Sequence, residues 1–124
     1  LLDASRGIAA ADRFVRRGDW SQQRFGIHTR VSGKRLGIFG MGRIGSAVAR
    51  RASGFDMPVA YYNRSPVAGS SHLYQPSLLE LARWADFLLI TAAGGDSTRH
   101  LVNTDVLDAL GAALTAAAAR ALAK

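Results

Sequence analysis

Residues 34–46 read Lys-Arg-Leu-Gly-Ile-Phe-Gly-Met-Gly-Arg-Ile-Gly-Ser. Three of these glycines, Gly40, Gly42 and Gly45, fall in the spacing G-x-G-x-x-G. Glycine weakens a strand or helix interior, so this cluster points to a sharp turn between two regular elements. Its surroundings agree. Arg35–Phe39 is a short apolar run, continuous rather than alternating, as suits a parallel strand covered on both faces. Residues 42–53 place Ile44, Ala47, Val48 and Arg51 at helical spacing, with Gly54 as a candidate C-terminal cap. Residues 57–62, Met-Pro-Val-Ala-Tyr-Tyr, form a second strand in which Pro58 fits only the first positions. A strand, a glycine turn, a helix and a second strand about 20 residues on form the context in which this spacing signals dinucleotide binding.

Each glycine then has a separate task. Gly40 permits the tight turn out of the strand, Gly42 lets a pyrophosphate approach the backbone, and Gly45 lets the helix lie close to the strand. The first-turn amides and the helix dipole favour the phosphate charge. The competing reading is a glycine turn kept for packing alone. A P-loop is disfavoured because no Gly-Lys-Ser/Thr follows.

The end of the second strand selects the cofactor. An acid there would hydrogen-bond the adenine-ribose 2′-hydroxyl of NAD. This chain has Asn63-Arg64-Ser65. Arg64 can meet a 2′-phosphate with a charged fork, and Asn63 and Ser65 can donate hydrogen bonds. The expectation is NADP(H) ahead of NAD(H), against the alternative that Arg64 is an ordinary loop arginine.

The remainder continues the alternation. Residues 1–18 read as one helix ended by Gly18, and 19–33 as a loop. His72-Leu73-Tyr74 is a short strand. Ser77 and Glu80 form a capping box for a helix to Trp84. Residues 86–91 are a further strand, 92–98 a glycine-rich loop, and Thr104 caps a helix over 105–110. Helix, then β-α-β-(β)-α-β-α, means an α/β fold with a parallel sheet covered on both faces.

Sixteen Lys and Arg against nine Asp and Glu give a net charge of +7. The arginines are scattered, so a solvated surface is expected and no nucleic-acid partner. No apolar run has the length of about 18 residues needed to span a membrane, and no leader pattern opens the chain. The absence of cysteine excludes disulfides and fits a cytoplasmic home. No metal-ligand cluster is apparent. His28, His72 and His100 read as ordinary histidines, and Trp20 and Trp84 as packing or interface anchors.

The stretches at 33–51, 61–65 (Tyr-Tyr-Asn-Arg-Ser), 77–90 and 97–110 together resemble the cofactor domain of the D-isomer-specific 2-hydroxyacid dehydrogenases. The Asn-Arg-Ser turn and the Gly94-Gly95 loop look most like the NADPH-using glyoxylate/hydroxypyruvate reductase branch. The resemblance implies a Rossmann-type, doubly wound parallel sheet, and hydride transfer from NADPH to a 2-keto acid to give a D-2-hydroxy acid. It implies that Met41, Arg43 and Ile44, with the three glycines, serve the pyrophosphate. It also implies that Ala92 and Ala93 lie against the adenosine half, with Thr98 hydrogen-bonding nearby. A homodimer formed through this domain, with the first helix in the interface, is part of the same implication.

The resemblance places the catalytic Arg and the His–Glu acid/base pair downstream of the matched segment, so no catalytic residue is assigned and no turnover is expected from these 124 residues. The chain divides into a leading helix and loop (1–33), an incomplete Rossmann half with strands 1–4 (34–110), and an Ala-rich tail (111–124) read as a helix. That tail is read as artificial, incompletely identified or naturally deleted sequence. Strand 4 would be an apolar edge covered by the tail or a second chain. Two further readings stay open: a dinucleotide-binding module without chemistry of its own, and an inactive or engineered fragment.

Overall fold

A strand that is apolar on both faces needs cover above and below, and residues 36–39 receive it. The computed structural model describes residues 1–110; the expected tail helix lies outside the described residues. The chain runs α1 (Leu2–Arg6), α2 (Ile8–Arg16), β1 (Leu36–Phe39), α3 (Arg43–Ala52), β2 (Val59–Tyr62), β3 (Leu73–Tyr74), α4 (Leu78–Trp84), β4 (Phe87–Ile90) and α5 (Thr104–Leu110). All strand pairs are parallel, in the order β3-β2-β1-β4. Among the described residues this is a four-stranded, Rossmann-type parallel sheet with the strand order of a doubly wound fold, as the alternation of strands and helices requires. β4 is an edge strand among the described residues.

β1 is central and buried along its whole length. Ile38, Ala49, Ala52, Met57 and Tyr61 pack together on the α3 side of the sheet. Ala60, Leu78, Leu81, Leu88 and Val106 pack on the α4 and α5 side. Leu36, Ile38 and Leu81 are fully buried, and each such side chain contributes about 1.5–3 kcal/mol. Gly37 is demanded by α4: a Cβ there would stand 2.9 Å from the Ala85 Cβ.

Several local expectations are corrected. The leading helix is two helices, because Gly7 adopts φ 61 and its amide returns to the Asp3 carbonyl at 2.7 Å. The His28 ring lies against Gly7, where any side chain would collide. The Asp3 carboxylate accepts from the Ala9 amide at 2.8 Å, inside the first turn of α2. Gly18 ends α2 as read, with φ 76. The predicted loop contains a short 3₁₀ turn at Asp19–Ser21. α3 buries Gly45, Ala49 and Ala52, whereas Ile44 is 66% exposed, so its inward face is not the one its apolar spacing suggested. The left-handed turn after α3 falls on Asp56, φ 52, rather than on Gly54. The Ser77 side chain accepts from the Glu80 amide at 3.1 Å, which is one half of the expected capping box; the return bond from the Ser77 amide to the Glu80 carboxylate is not made among the described residues. α5 is capped by Asn103, whose side-chain oxygen accepts from the Val106 amide at 3.1 Å, and Thr104 is already helical.

At the N-terminal ends of the strands, Asp86 joins β4 to β1. Its carboxylate accepts from the Arg35 backbone amide at 2.8 Å and from the Arg35 Nε and Nη2 at 3.2 Å each. The Arg35 guanidinium also lies 5.8 Å from the Trp84 ring centre. The Arg35 side-chain hydrogen bond holds the Asp86 carboxyl below the usual carboxylate range; the Arg35 amide and the charges of Arg35 and Lys34 add to this, while partial burial opposes it. A carboxylate with a lowered folded pKa stabilises above its unfolded value and loses that contribution as pH falls through the folded value. Arg35 is half exposed, so the pair is worth only about 0.5–1 kcal/mol. Asp86→Asn is expected to lower the urea midpoint at neutral pH, and the difference from the parent is expected to shrink below the ordinary carboxylate range and to vanish only once the pH has fallen past the lowered folded value of Asp86. A difference between the two that stays constant across pH would refute this.

Candidate functional site

The C-terminal ends of β1, β2 and β4 surround an open cleft of about 580 Å³. In a doubly wound sheet this is where ligands bind, beside the central strand where the chain reverses its direction of winding. The glycine turn forms one wall. Gly40 has φ 101, and a Cβ there would run into the Thr91–Ala92 backbone. Gly45 has no room either: a Cβ would strike the Gly40 carbonyl oxygen and lie 3.1 Å from Ile38 Cγ2. Gly42 differs, since a Cβ there would meet nothing within 4 Å. Gly40 and Gly45 thus serve the packing, and Gly42 keeps clear the space in front of the helix. Among the described residues no side chain caps α3 at Gly42, so its first-turn amides stay available to an anion. The competing reading of the turn as packing alone explains Gly40 and Gly45 but leaves Gly42 without a reason.

The loop is held from both sides. The Gly40 amide donates to the Tyr62 carbonyl at 3.0 Å. The Thr91 hydroxyl donates to the Gly40 carbonyl at 2.7 Å. The Met41 amide donates to the Asn63 Oδ1 at 2.7 Å, and the Met41 side chain is buried with Ile38 and Ala49.

Of the residues singled out in the sequence, Gly40, Gly42, Asn63, Arg64, Ser65, Ala92, Ala93 and Thr98 line the one cleft. Met41 and Gly45 stand behind it as supports, and Arg43 and Ile44 are exposed at the start of α3. Arg64 carries the only charge among the described residues lining the cleft, and it makes no ion pair among the described residues. The Thr98 hydroxyl donates to the Ala93 carbonyl at 2.9 Å and the Gly95 carbonyl at 3.0 Å, closing the glycine-rich loop on itself. Phe39 and Tyr62, with ring centres 5.6 Å apart, give the cleft an apolar side. The donor set fits a dinucleotide: free amides for a diphosphate, a cation and a hydroxyl at the end of β2, and apolar surface between them. Sequence reasoning missed Thr91 as a support; its one signal is a hydroxyl ending the apolar run Phe87–Ile90. The histidines lie elsewhere. His28 stacks on Phe25 with ring centres 4.7 Å apart, beside Gly7.

The family model for the D-isomer specific 2-hydroxyacid dehydrogenase, NAD binding domain, matches residues 1–117. The chain is 43% identical over 111 residues to a hydroxyphenylpyruvate reductase of Plectranthus scutellarioides, covering 90% of this chain and 36% of that protein. It is 41% identical over 112 residues to a glyoxylate/hydroxypyruvate reductase A of Arabidopsis thaliana, with the same 90% and 36% coverage. Among solved structures, the NADPH-dependent glyoxylate/hydroxypyruvate reductase of Sinorhizobium meliloti in complex with NADP and malonate superposes with a TM-score of 0.84 and 38% identity. That match covers 89% of this chain and 35% of the other. The chain therefore spans little more than a third of the length of these relatives.

The different surroundings of the glycines separate folding from binding. Gly42→Ala should change stability by no more than about 0.5 kcal/mol and weaken dinucleotide binding. Gly45→Ala should cost about 1–3 kcal/mol through overpacking. Paired melting curves and cofactor titrations test this; a Gly42→Ala protein that binds like the parent would show that Gly42 does not face the ligand.

Proposed function

This chain belongs to the D-isomer-specific 2-hydroxyacid dehydrogenase family, whose NAD-binding domain it matches, and from that premise we propose that it binds NADP(H) in preference to NAD(H). We read it as the cofactor-binding portion of an oxidoreductase that converts a 2-keto acid of the glyoxylate/hydroxypyruvate class to a D-2-hydroxy acid. The bound dinucleotide supplies the hydride. The residues of this chain bind and orient it: the first-turn amides of α3 with Arg43 and Ile44 serve the diphosphate, Arg64 and Ser65 the ribose 2′-phosphate, and Ala92 and Ala93 the adenosine. Thr98 contributes by fixing the loop that carries Ala93.

The observation that carries the choice of cofactor is the turn after β2. It brings Arg64 and Ser65 to the cleft, and no carboxylate lines that cleft among the described residues. A carboxylate there would repel a 2′-phosphate, whereas a guanidinium attracts it. A second reading, a dinucleotide-binding module without chemistry of its own, draws support from the lining: neither carboxylate nor imidazole is among the described residues of the cleft. NADPH binding with no keto-acid turnover would favour it. A cytoplasmic location remains part of the proposal; no helix among the described residues is long and apolar enough to cross a membrane.

Titration with NADPH and NADH side by side tests the cofactor choice. Arg64→Ala should weaken NADPH by about 1.5–3 kcal/mol, the value of a hydrogen bond to a charged group, and leave NADH nearly unchanged. Tighter binding of NADH by the parent chain would overturn the reading.

The homodimer belongs to the same proposal. The first 27 residues expose Ile8 (54%), Val15 (56%), Trp20 (66%) and Ile27 (104%), apolar side chains that a partner surface would cover. Trp20→Glu is expected to shift the sedimenting species from dimer to monomer. A parent chain that sediments as a monomer would refute it.

A further inference from the structure

A carboxamide offers one acceptor oxygen and one donor NH₂. In Asn63 the oxygen is already engaged by the Met41 amide at 2.7 Å, across 22 residues of sequence. An amide N–H cannot be received by an NH₂, so this bond fixes which way the carboxamide faces. The same residue is held through its main chain: the Tyr74 hydroxyl donates to the Asn63 carbonyl at 3.3 Å. One step earlier, the Tyr62 carbonyl accepts from Gly40. Met41 cannot drift either, since its side chain is 5% exposed in the α3-side core. The end of β2 and the glycine turn are therefore tied by two adjacent bonds, one from main chain and one from a side chain.

We propose that Asn63 is a positioning residue that acts on the dinucleotide through the Met41 amide. It holds the glycine turn at a set distance from Arg64, so that the diphosphate amides and the 2′-phosphate cation are spaced for a single ligand. Asparagine suits this place for a second reason. Aspartate could accept the same Met41 bond, but it would put a negative charge beside Arg64 and against a 2′-phosphate. Asparagine supplies the acceptor without the charge, and its remaining polar group is a donor in a residue that lines the cleft. This second consequence rests on the NADP(H) reading above; the tie to Met41 does not.

Two substitutions and one exchange measurement decide it. Asn63→Ala removes the tie, and should weaken NADPH and NADH by the same factor, about tenfold for one lost hydrogen bond. It should also speed hydrogen exchange at the Met41 amide. A loss confined to NADPH would make Asn63 a ligand contact and overturn the proposal, as would no loss at all. Asn63→Asp keeps the acceptor. It should keep NADH affinity within about twofold and slow exchange at Met41, while NADPH affinity falls; loss of both cofactors would overturn the proposal. If Asn63→Ala does not fold, exchange in the parent chain without cofactor decides: a Met41 amide as protected as those of β1 supports the tie, and fast exchange overturns it. If Arg64→Ala leaves NADPH preference intact, the cofactor reading fails while equal losses in Asn63→Ala still uphold the tie.

Discussion

The contact of the Gly40 carbonyl with the bare Cα of Gly45 is the point from which the site is built. It brings the first turn of α3 down onto the end of β1, with no side chain between helix and strand. The N-cap residue is Gly42, so α3 has no side-chain cap among the described residues, and its first amides border the space that Gly42 keeps open. A helix set back by one methyl group would displace both the turn and the amides. Close packing and open first-turn amides are therefore one geometric demand here, met by three glycines with different neighbours.

A turn of this kind is loose unless its flanks hold it. The central place of β1 supplies the flanks, because β2 lies on one side and β4 on the other. From β2 come the Tyr62 carbonyl and the Asn63 carboxamide, and from β4 comes the Thr91 hydroxyl. Parallel register brings all three to the same level as Gly40, since Phe39 is opposite both Tyr62 and Ile90. The winding order that makes the sheet doubly wound is thus the same feature that fixes the glycine turn.

The elements legible in the sequence were those set by local chemistry or by simple burial. The four strands, the glycine turn, the Ser77 cap and the stop at Gly18 all follow from composition and spacing within a few residues. What stayed hidden depends on partners distant in sequence. Gly7 breaks the leading helix by turning left-handed, and the His28 ring, 21 positions on in the chain, leaves no room there for a side chain. Ile44 is exposed because Gly45 must face the strand, and that sets the rotation of the whole helix against its apolar pattern. Asn103 and Thr104 are both good caps, and only the backbone path selects the first. In the site, the lining residues at the ends of β2 and β4 could be named, but Thr91 and the structural duty of Asn63 could not. Their bonds span 51 and 22 residues, and no spacing rule reports such a pair.

The two ends of the sheet handle charge differently, and this division favours binding. At the N-terminal ends, Arg35 and Asp86 satisfy each other, so the cation there is spent on joining β1 to β4. At the C-terminal ends, Arg64 is exposed and makes no ion pair among the described residues. An exposed, unpaired guanidinium keeps its capacity for a bidentate bond to phosphate, and it sits where the α3 dipole already favours negative charge. Had the end of β2 carried an acid, that acid would have paired with Arg64 and cancelled the attraction. Asn63 avoids this while still accepting the Met41 amide. The same side chain that steadies the turn therefore leaves the neighbouring cation unspent, and rigidity of the loop is reached without loss of positive potential at the cleft.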